Sequence, residues 1–172
     1  MKRLVLLAAI ACIASFAQLN AQKFALIDME YILKNIPSYE MANEQLNQVS
    51  KKWQAEVDAK KQEAENLYKS YQSEMVFLSA EQKQTKENEV IAKEQESQEL
   101  KRKYFGSEGE LFKKRQSLMK PIQDEIYEAV KDISEKSGYQ AVVDRASAMS
   151  IIFASPKIDI SNEVLSKLGY SK

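Results

Sequence analysis

Histidine is absent from the sequence, and cysteine occurs only once, at Cys12. The lack of histidine removes the commonest general base and the commonest metal ligand of proteins. Cys12 lies in an apolar N-terminal segment, so a chain that loses this segment has neither a disulfide nor thiol chemistry. The sequence also has no GxxxxGK[ST] phosphate loop. We therefore expect no catalytic, metal or cofactor site, and no enzyme activity.

Glycine and proline are scarce, with four and three residues among 172. So few helix breakers favour long, uninterrupted helices. Positive and negative residues balance at 25 each, and loss of Lys2 and Arg3 with the N-terminal segment leaves 23 against 25, a net charge of −2. Because nucleic-acid-binding proteins carry a strongly basic surface, we expect no nucleic-acid partner.

Residues 1–21 are typical of a secretory signal peptide. Lys2 and Arg3 precede an apolar run of 13 residues, Leu4 to Phe16, which is too short to span a bilayer. Cleavage after Ala21 or after Ala17 predicts a soluble periplasmic protein. Two alternatives stay open: an amphipathic start to a cytosolic protein, and a lipoprotein anchored at Cys12, although the preceding Ala-Ile-Ala matches a lipobox poorly.

The central part of the chain, residues 38–137, predicts a long helical hairpin. Ser38 is a candidate cap for its first helix, whose apolar face repeats every 3.6 residues on average, close to a straight α-helix. Val76 to Ser79 form the predicted tip, and Ser79 with Gln82 makes a capping-box pattern before a second helix of about 58 residues. The face of the first helix comprises Ala42, Leu46, Val49, Trp53, Val57, Ala64, Leu67, Tyr71, Met75 and Leu78.

The second helix of the hairpin is less uniform than the first. It is predicted to run from Ala80 to Ser137, and Gly106, Gly109 and Pro121 should weaken or kink it. Its very polar beginning, residues 80–103, leaves open how far this segment is ordered. The first helix alone is about 57 Å long, which predicts an arm that projects from a smaller body.

Strand-like segments flank the hairpin on both sides. Lys23 to Asp28 reads as a strand that needs a partner. The partners are predicted downstream, at Tyr139–Val143 and Met149–Phe153, with residues 144–147 as a turn between them. Gly138 should end the long helix, and a final short helix should be capped by Ser161 and stopped by Gly169.

The predicted fold is therefore α+β, with a small antiparallel β base and a long projecting helical hairpin. Residues 22–37 and 138–172 form the base, and residues 38–137 form the arm with its tip near 76–79. Three strands cannot bury both faces alone, so we expect the base to oligomerise. The predicted core or subunit-interface residues are Phe24, Leu26, Ile27, Val142, Val143, Ile151, Ile152 and Phe153.

The order of these segments resembles the Skp (OmpH) family of periplasmic chaperones. The resemblance covers residues 23 to 168, and it rests on FALIDMEYIL, the Lys/Glu/Gln-rich hairpin, IQDEIYEAVKDISEKSGYQAVVD and DISNEVLSKL. It implies a homotrimer with a β body and three helical arms. It also implies a cavity that holds unfolded outer-membrane β-barrel proteins without ATP, and transient contact with the membrane surface.

One departure from the family concerns charge. Its best-known members are strongly basic, whereas this chain is close to neutral, so we do not carry over a lipopolysaccharide site. The basic clusters along the arm, such as Lys60-Lys61 and Lys113-Lys114-Arg115, are predicted to be solvated faces with glutamate partners four residues away, and a binding patch is the less favoured alternative.

Six apolar residues of the arm are candidate client contacts. For three of them, packing in the hairpin seam is the favoured alternative, and for the other three, closure of the tip. Asp28 and Asp144 are predicted to have turn and cap roles instead of forming a catalytic carboxylate pair. The candidate client contacts are Trp53, Tyr68, Tyr71, Met75, Phe77 and Leu78.

Two rival classes are a structural coiled-coil envelope protein or tether, and an enzyme with an inserted helical hairpin. A tether predicts a strict heptad and an anchor, and only the helices fit it. The missing histidine and the lack of a nucleophile motif argue against the enzyme.

Overall fold

The computed structural model describes residues 23–147 and 151–170. These residues separate into two compact units. The first, here called the base unit, contains the described residues up to 32 and from 128 onward, and the second, the arm unit, contains residues 33–127.

A two-stranded sheet lies in the base unit. Strand β1 (Lys23–Ile27) pairs with strand β2 (Tyr139–Asp144), and Leu26 lies opposite Val143. The sheet joins an N-terminal to a C-terminal segment, as the α+β prediction requires, but the pairing is parallel and the predicted antiparallel arrangement is wrong. A parallel pair needs a crossover of a dozen or more residues, and the intervening helices supply one.

The third predicted strand is not formed in the described part of the chain. Met149 lies outside the described residues, and residues 151–153 are irregular. The other edge of β1 is occupied instead by a single parallel bridge between Leu26 and Asp159, where the Ile160 N–H donates to the Leu26 carbonyl at 2.9 Å. The apolar composition of residues 149–153 favours a strand, but composition alone does not place a neighbouring strand beside it.

Polar side chains beside the sheet join the residue that follows β1 to the segment that follows β2. The Asp28 N–H donates to the Ser161 hydroxyl at 2.8 Å, and Arg145 pairs with Asp28 at 3.1 Å and with Asp159 at 3.2 Å. The last described helix, α5 (Ser161–Lys167), starts at Ser161 with Ile160 in the cap position, so the predicted N-cap role of Ser161 is wrong.

Asp28 and Asp144 have the turn and cap roles expected from the sequence. The Asp28 carboxylate accepts the Tyr31 N–H at 2.8 Å in the first turn of helix α1 (Met29–Lys34). The Asp144 carboxylate accepts the Met29 N–H at 3.0 Å and the Ala146 N–H at 3.1 Å. Each carboxylate thus satisfies N–H groups that have no partner within a helix or a strand.

The pKa of Asp144 lies below its ordinary value. Partial burial is the largest single influence and raises the pKa, but hydrogen bonds from the Met29 N–H, the Ser147 hydroxyl and the Ala146 and Ser147 N–H groups together outweigh it. A carboxyl whose pKa is depressed by folding stabilises the protein above its unfolded pKa, about 3.9. This contribution is lost as the pH falls through the folded-state pKa.

We expect Asp144→Asn to lower the melting temperature at about pH 7, and the difference from the wild type to shrink below about pH 4. Thermal unfolding followed by circular dichroism across this range measures the effect. Asp58→Asn is the matched control, because Asp58 is exposed and accepts a side-chain hydrogen bond from Gln54. A constant difference between Asp144→Asn and the wild type at every pH would contradict the prediction.

The arm unit is built on one long helix, α2 (Pro37–Glu74), of 38 residues. It begins at Pro37, with Ile36 in the cap position and no side-chain cap, so the predicted cap at Ser38 is wrong. Proline suits the first helical position because its fixed φ is already helical and its missing N–H would have no partner there.

The tip and the capping box follow the sequence prediction. A short 3₁₀ turn, Met75–Phe77, leads to helix α3 (Ala80–Phe105). The Gln82 N–H donates to the Ser79 hydroxyl at 3.3 Å, and the Ser79 N–H donates to the Gln82 side chain at 2.9 Å. Residues 80–103, whose order the sequence left open, are helical throughout.

The return half of the hairpin is two helices and not one. Helix α3 ends at Phe105, and helix α4 (Glu110–Ser137) begins after a break that contains both Gly106 and Gly109. A Cβ on Gly109 would lie 2.8 Å from the Gly106 nitrogen and from the Tyr104 carbonyl oxygen, so only glycine fits there.

Pro121 and Gly138 are two further residues that the sequence predicts to kink or end this helix. Pro121 lies inside the helix and does not end it. Gly138, with a φ of 71°, terminates it as predicted. Helix α5 (Ser161–Lys167) is followed by Gly169, which has a φ of 84°.

Candidate interaction surfaces

The described residues contain neither a metal-ligand cluster nor a membrane-spanning helix. Among residues 23–147 and 151–170, no group of three or more histidine, cysteine, aspartate or glutamate side chains could hold a metal ion. Within the same residues, no helix has both the length and the apolar character needed to cross a membrane. The candidate functional sites are the surfaces where the arm and base units expose large apolar side chains.

Trp53, one of the candidate client contacts, packs in the seam between α2 and α3. Its ring is stacked on that of Tyr104, with centroids 4.8 Å apart and planes inclined by 5°. The Tyr104 hydroxyl donates to the Glu56 carboxylate at 2.5 Å, and this hydrogen bond raises the pKa of Tyr104. The aromatic pair therefore fastens the end of α3 to α2.

Tyr71 makes the corresponding contact nearer the tip. Its side chain is buried, and its hydroxyl donates to the Glu87 carboxylate at 2.5 Å, which raises the pKa of Tyr71. The helical spacing predicts that Tyr71 lies on the apolar face, but it does not predict Glu56 and Glu87 as hydrogen-bond acceptors. The sequence does not show which glutamate of a charged helix will accept a hydrogen bond from a tyrosine. The register between α2 and α3 decides which side chains come close enough.

The middle of the arm is covered by charged pairs. Lys60 and Glu63 lie 2.9 Å apart, and Lys93 and Glu96 lie 2.7 Å apart. The hydrogen bond between the first two raises the pKa of Lys60 and lowers that of Glu63. Lys113 pairs with Glu110 at 3.2 Å. Lys61 has the predicted glutamate partner four residues away, Glu65 at 3.5 Å. The partners of Lys60 and Lys113 lie three residues away instead.

The end of the arm carries a different surface, which we call the distal surface. Val76 and Phe77 are 76% and 86% exposed, whereas Leu78 is half-buried. Among described residues 42–67 and 92–111, no large apolar side chain is exposed. The exposed apolar groups of the arm therefore concentrate at its tip and at its opposite end. The distal surface consists of Tyr68, Met75, Val76, Phe77 and Ile91.

Three residues of the distal surface, Tyr68, Met75 and Phe77, are among the client contacts predicted from the sequence. Val76 and Ile91 are not. Val90 and Ile91 are neighbours on a polar helix, and neighbouring residues cannot both face the same seam. Val90 is buried and Ile91 is 49% exposed. The pair is a signal that one apolar side chain must face outward, although it does not say which one.

The eight residues predicted as base core or subunit interface separate into two groups. Leu26 and Ile27 are buried in the base unit, and Val142 is half-buried. The others are exposed in the single chain, and we call this set of apolar side chains the base surface. It consists of Phe24, Val143, Ile151, Ile152 and Phe153.

Comparison with known proteins adds a family and two relatives. Residues 23–168 match the family model described as outer membrane protein (OmpH-like). The chain is 25% identical over 158 residues to the chaperone protein Skp of Yersinia enterocolitica, covering 91% of this chain and 92% of that protein. A crystal structure of an OmpH-like outer membrane chaperone from Caulobacter crescentus CB15 is similar in fold. Its TM-score is 0.67 at 14% identity, over 84% of this chain and 82% of the other.

Proposed function

The chain belongs to the OmpH-like family, and we propose that it is an ATP-independent periplasmic chaperone that holds unfolded outer-membrane β-barrel proteins. In this role, a homotrimer keeps a client in the cavity between its arms and prevents aggregation before membrane insertion. The proposal includes transient contact with the membrane surface at delivery. The names of the two relatives, a chaperone protein and an outer membrane chaperone, support the chaperone role.

The observation that carries the proposal is the distribution of apolar side chains on the arm. The long middle section exposes no large apolar side chain in its described residues, and its surface carries ion pairs. A client whose contacts with such a wall are weak stays mobile and can leave when it folds. Strong apolar contacts along the whole arm would instead retain it.

The homotrimer is supported by the base surface. Ile152 is 101% exposed and Phe153 is 84% exposed in the single chain. Large apolar side chains exposed together on a small unit with a two-stranded sheet favour association with other copies.

The test is dilution of a urea-unfolded outer-membrane β-barrel protein into buffer without ATP, with and without the mature chain that starts at Gln22. We expect suppressed light scattering at about one trimer per client. Unchanged scattering in the presence of a folded, oligomeric protein would reject the holdase. It would favour a structural envelope protein or tether that shares the architecture.

A further inference from the structure

Two residues of the distal surface, Tyr68 and Ile91, are brought to the same part of the hairpin by the contact between Tyr71 and Glu87. Tyr68 lies three residues before Tyr71 on α2, and Ile91 lies four residues after Glu87 on α3. Residues at these spacings are neighbours on one helix face. The helices α2 and α3 run in opposite directions on either side of the tip. Tyr68 and Ile91 therefore both lie further from the tip than the contact between Tyr71 and Glu87. Tyr68 and Ile91 therefore flank the seam at one level.

Met75, Val76 and Phe77 form the 3₁₀ turn at the end of the arm, and Val76 and Phe77 are its most exposed apolar side chains. Met75 follows Tyr71 by four residues, one turn further along α2. From Tyr68 to the tip the surface spans about seven helical residues, or roughly 10 Å, and the 3₁₀ turn adds a few ångströms. An extended polypeptide advances about 3.3 Å per residue, so four to five residues cover this length.

We infer that the distal surface binds short extended segments of an unfolded polypeptide in which apolar residues alternate with polar ones. This inference rests on the proposed function and assigns the client contact to the arm ends. Strands of β-barrel proteins alternate in this way, so a segment of four to five residues presents two or three apolar side chains on one side. Trp53 and Tyr71 are not part of the binding surface, because their side chains join α2 to α3.

The charge of this region disfavours an anionic membrane surface as the occupant. Residues 67–91 contain three lysines and four glutamates, a net charge of −1. Attachment to anionic lipid relies on clustered lysine and arginine, each contributing about 1 kcal/mol near the surface. The distal surface has no such excess of positive charge.

The size of the distal surface disfavours a second copy of the chain. A stable protein–protein interface buries about 800 Å² and about 20–30 residues on each partner. The distal surface has five large apolar side chains, of which Tyr68, Met75 and Ile91 are less than half exposed. It is large enough for a weak contact with a short segment and too small for stable self-association.

The test compares client binding by Val76→Ser/Phe77→Ser and Phe112→Ser variants of the mature chain. Phe112 is the matched control because it is 44% exposed on the arm but lies outside the distal surface. The readout is the fluorescence anisotropy of a dye-labelled, urea-unfolded β-barrel protein after dilution. We expect the double variant to bind at least about fivefold more weakly, because it loses two apolar contacts, and Phe112→Ser to bind as the wild type does.

Two further variants make the result specific to apolar contact. Val76→Leu/Phe77→Leu should retain wild-type affinity, because it keeps an apolar tip of different shape. Ile91→Ser should weaken binding without changing the tip. Circular dichroism and sedimentation velocity should show that every variant keeps the fold and the oligomeric state.

The inference is overturned if the wild type binds the client and the tip variant binds equally well, a result that leaves the holdase proposal intact. Failure of the wild type itself to bind rejects the holdase proposal instead. If the tip variant loses binding only to vesicles of phosphatidylglycerol, the occupant is a membrane and the inference is wrong. A changed sedimentation coefficient for the tip variant identifies a self-contact and overturns the inference as well.

Discussion

Replacing Ile152 and Phe153 together by aspartate is expected to convert the proposed trimer into monomers. Both side chains are almost fully exposed in the single chain, at 101% and 84%, so the change leaves the packing within one chain intact. In an assembly that buries the base surface, six carboxylates would lose their water. The effective penalty is several kcal/mol for each buried, unpaired charge.

Sedimentation velocity at a series of protein concentrations measures this effect. The matched control is Val76→Asp/Phe77→Asp, which introduces the same two charges at exposed apolar residues of the tip. The control should sediment as the wild type does. If Ile152→Asp/Phe153→Asp also sediments as the wild type does, the base surface is not the subunit interface.

The same variant links assembly to activity. A monomer lacks the cavity between three arms, so it should suppress the aggregation of an unfolded β-barrel protein much less than the wild type does. A monomer that suppresses aggregation as well as the oligomer would show that a single arm is sufficient for client binding.

Ile32→Ala should cause the largest loss of stability that a single substitution makes in the base unit. The side chain of Ile32 has 0% exposure, and it lies on the short helix that follows β1. Truncating a fully buried isoleucine to alanine removes its transfer free energy and leaves a cavity, which costs about 2–5 kcal/mol. In a protein whose total stability is about 5–15 kcal/mol, this loss is a substantial fraction.

Urea unfolding at a fixed protomer concentration tests this prediction, since assembly makes stability depend on concentration. Ile91→Ala is the matched control because Ile91 is 49% exposed, and it should change the unfolding free energy by no more than about 0.5 kcal/mol. Hydrogen exchange can assign the loss to the base unit through the amides of β1. A loss for Ile32→Ala that equals the control would mean that the base core does not depend on this side chain.

Local signals in the sequence were sufficient for most of the arm. Gly106 and Gly109 predict a weakened or kinked helix, and not the break between two helices that the structure has. The period of 3.6 residues and the capping box of Ser79 and Gln82 depend on residues within one or two turns of each other. The same holds for the end of α4 at Gly138, where only glycine adopts a positive φ without strain. These elements could therefore be located before the structure was known.

Burial within the arm was less predictable. Leu78 and Val76 are both apolar residues of the tip, yet one is half-buried and the other is 76% exposed. Tyr68 and Tyr71 are three residues apart on α2, yet only Tyr71 is buried, with its hydroxyl on Glu87. Helical spacing limits a side chain to one side of the helix, but the register of the opposite helix decides which residue reaches the seam.

The sequence by itself determined the segments of this protein: a strand, a helical hairpin with its tip, a returning strand and a short last helix. Only the tertiary structure decided that β1 and β2 are parallel, and that Asp159, not residues 151–153, lies beside Leu26. It also decided that Ser161 accepts the Asp28 N–H. The physical reason is that strand pairing joins backbone N–H and C=O groups more than a hundred residues apart. These groups are the same at nearly every residue, so the local sequence does not specify which of them will pair.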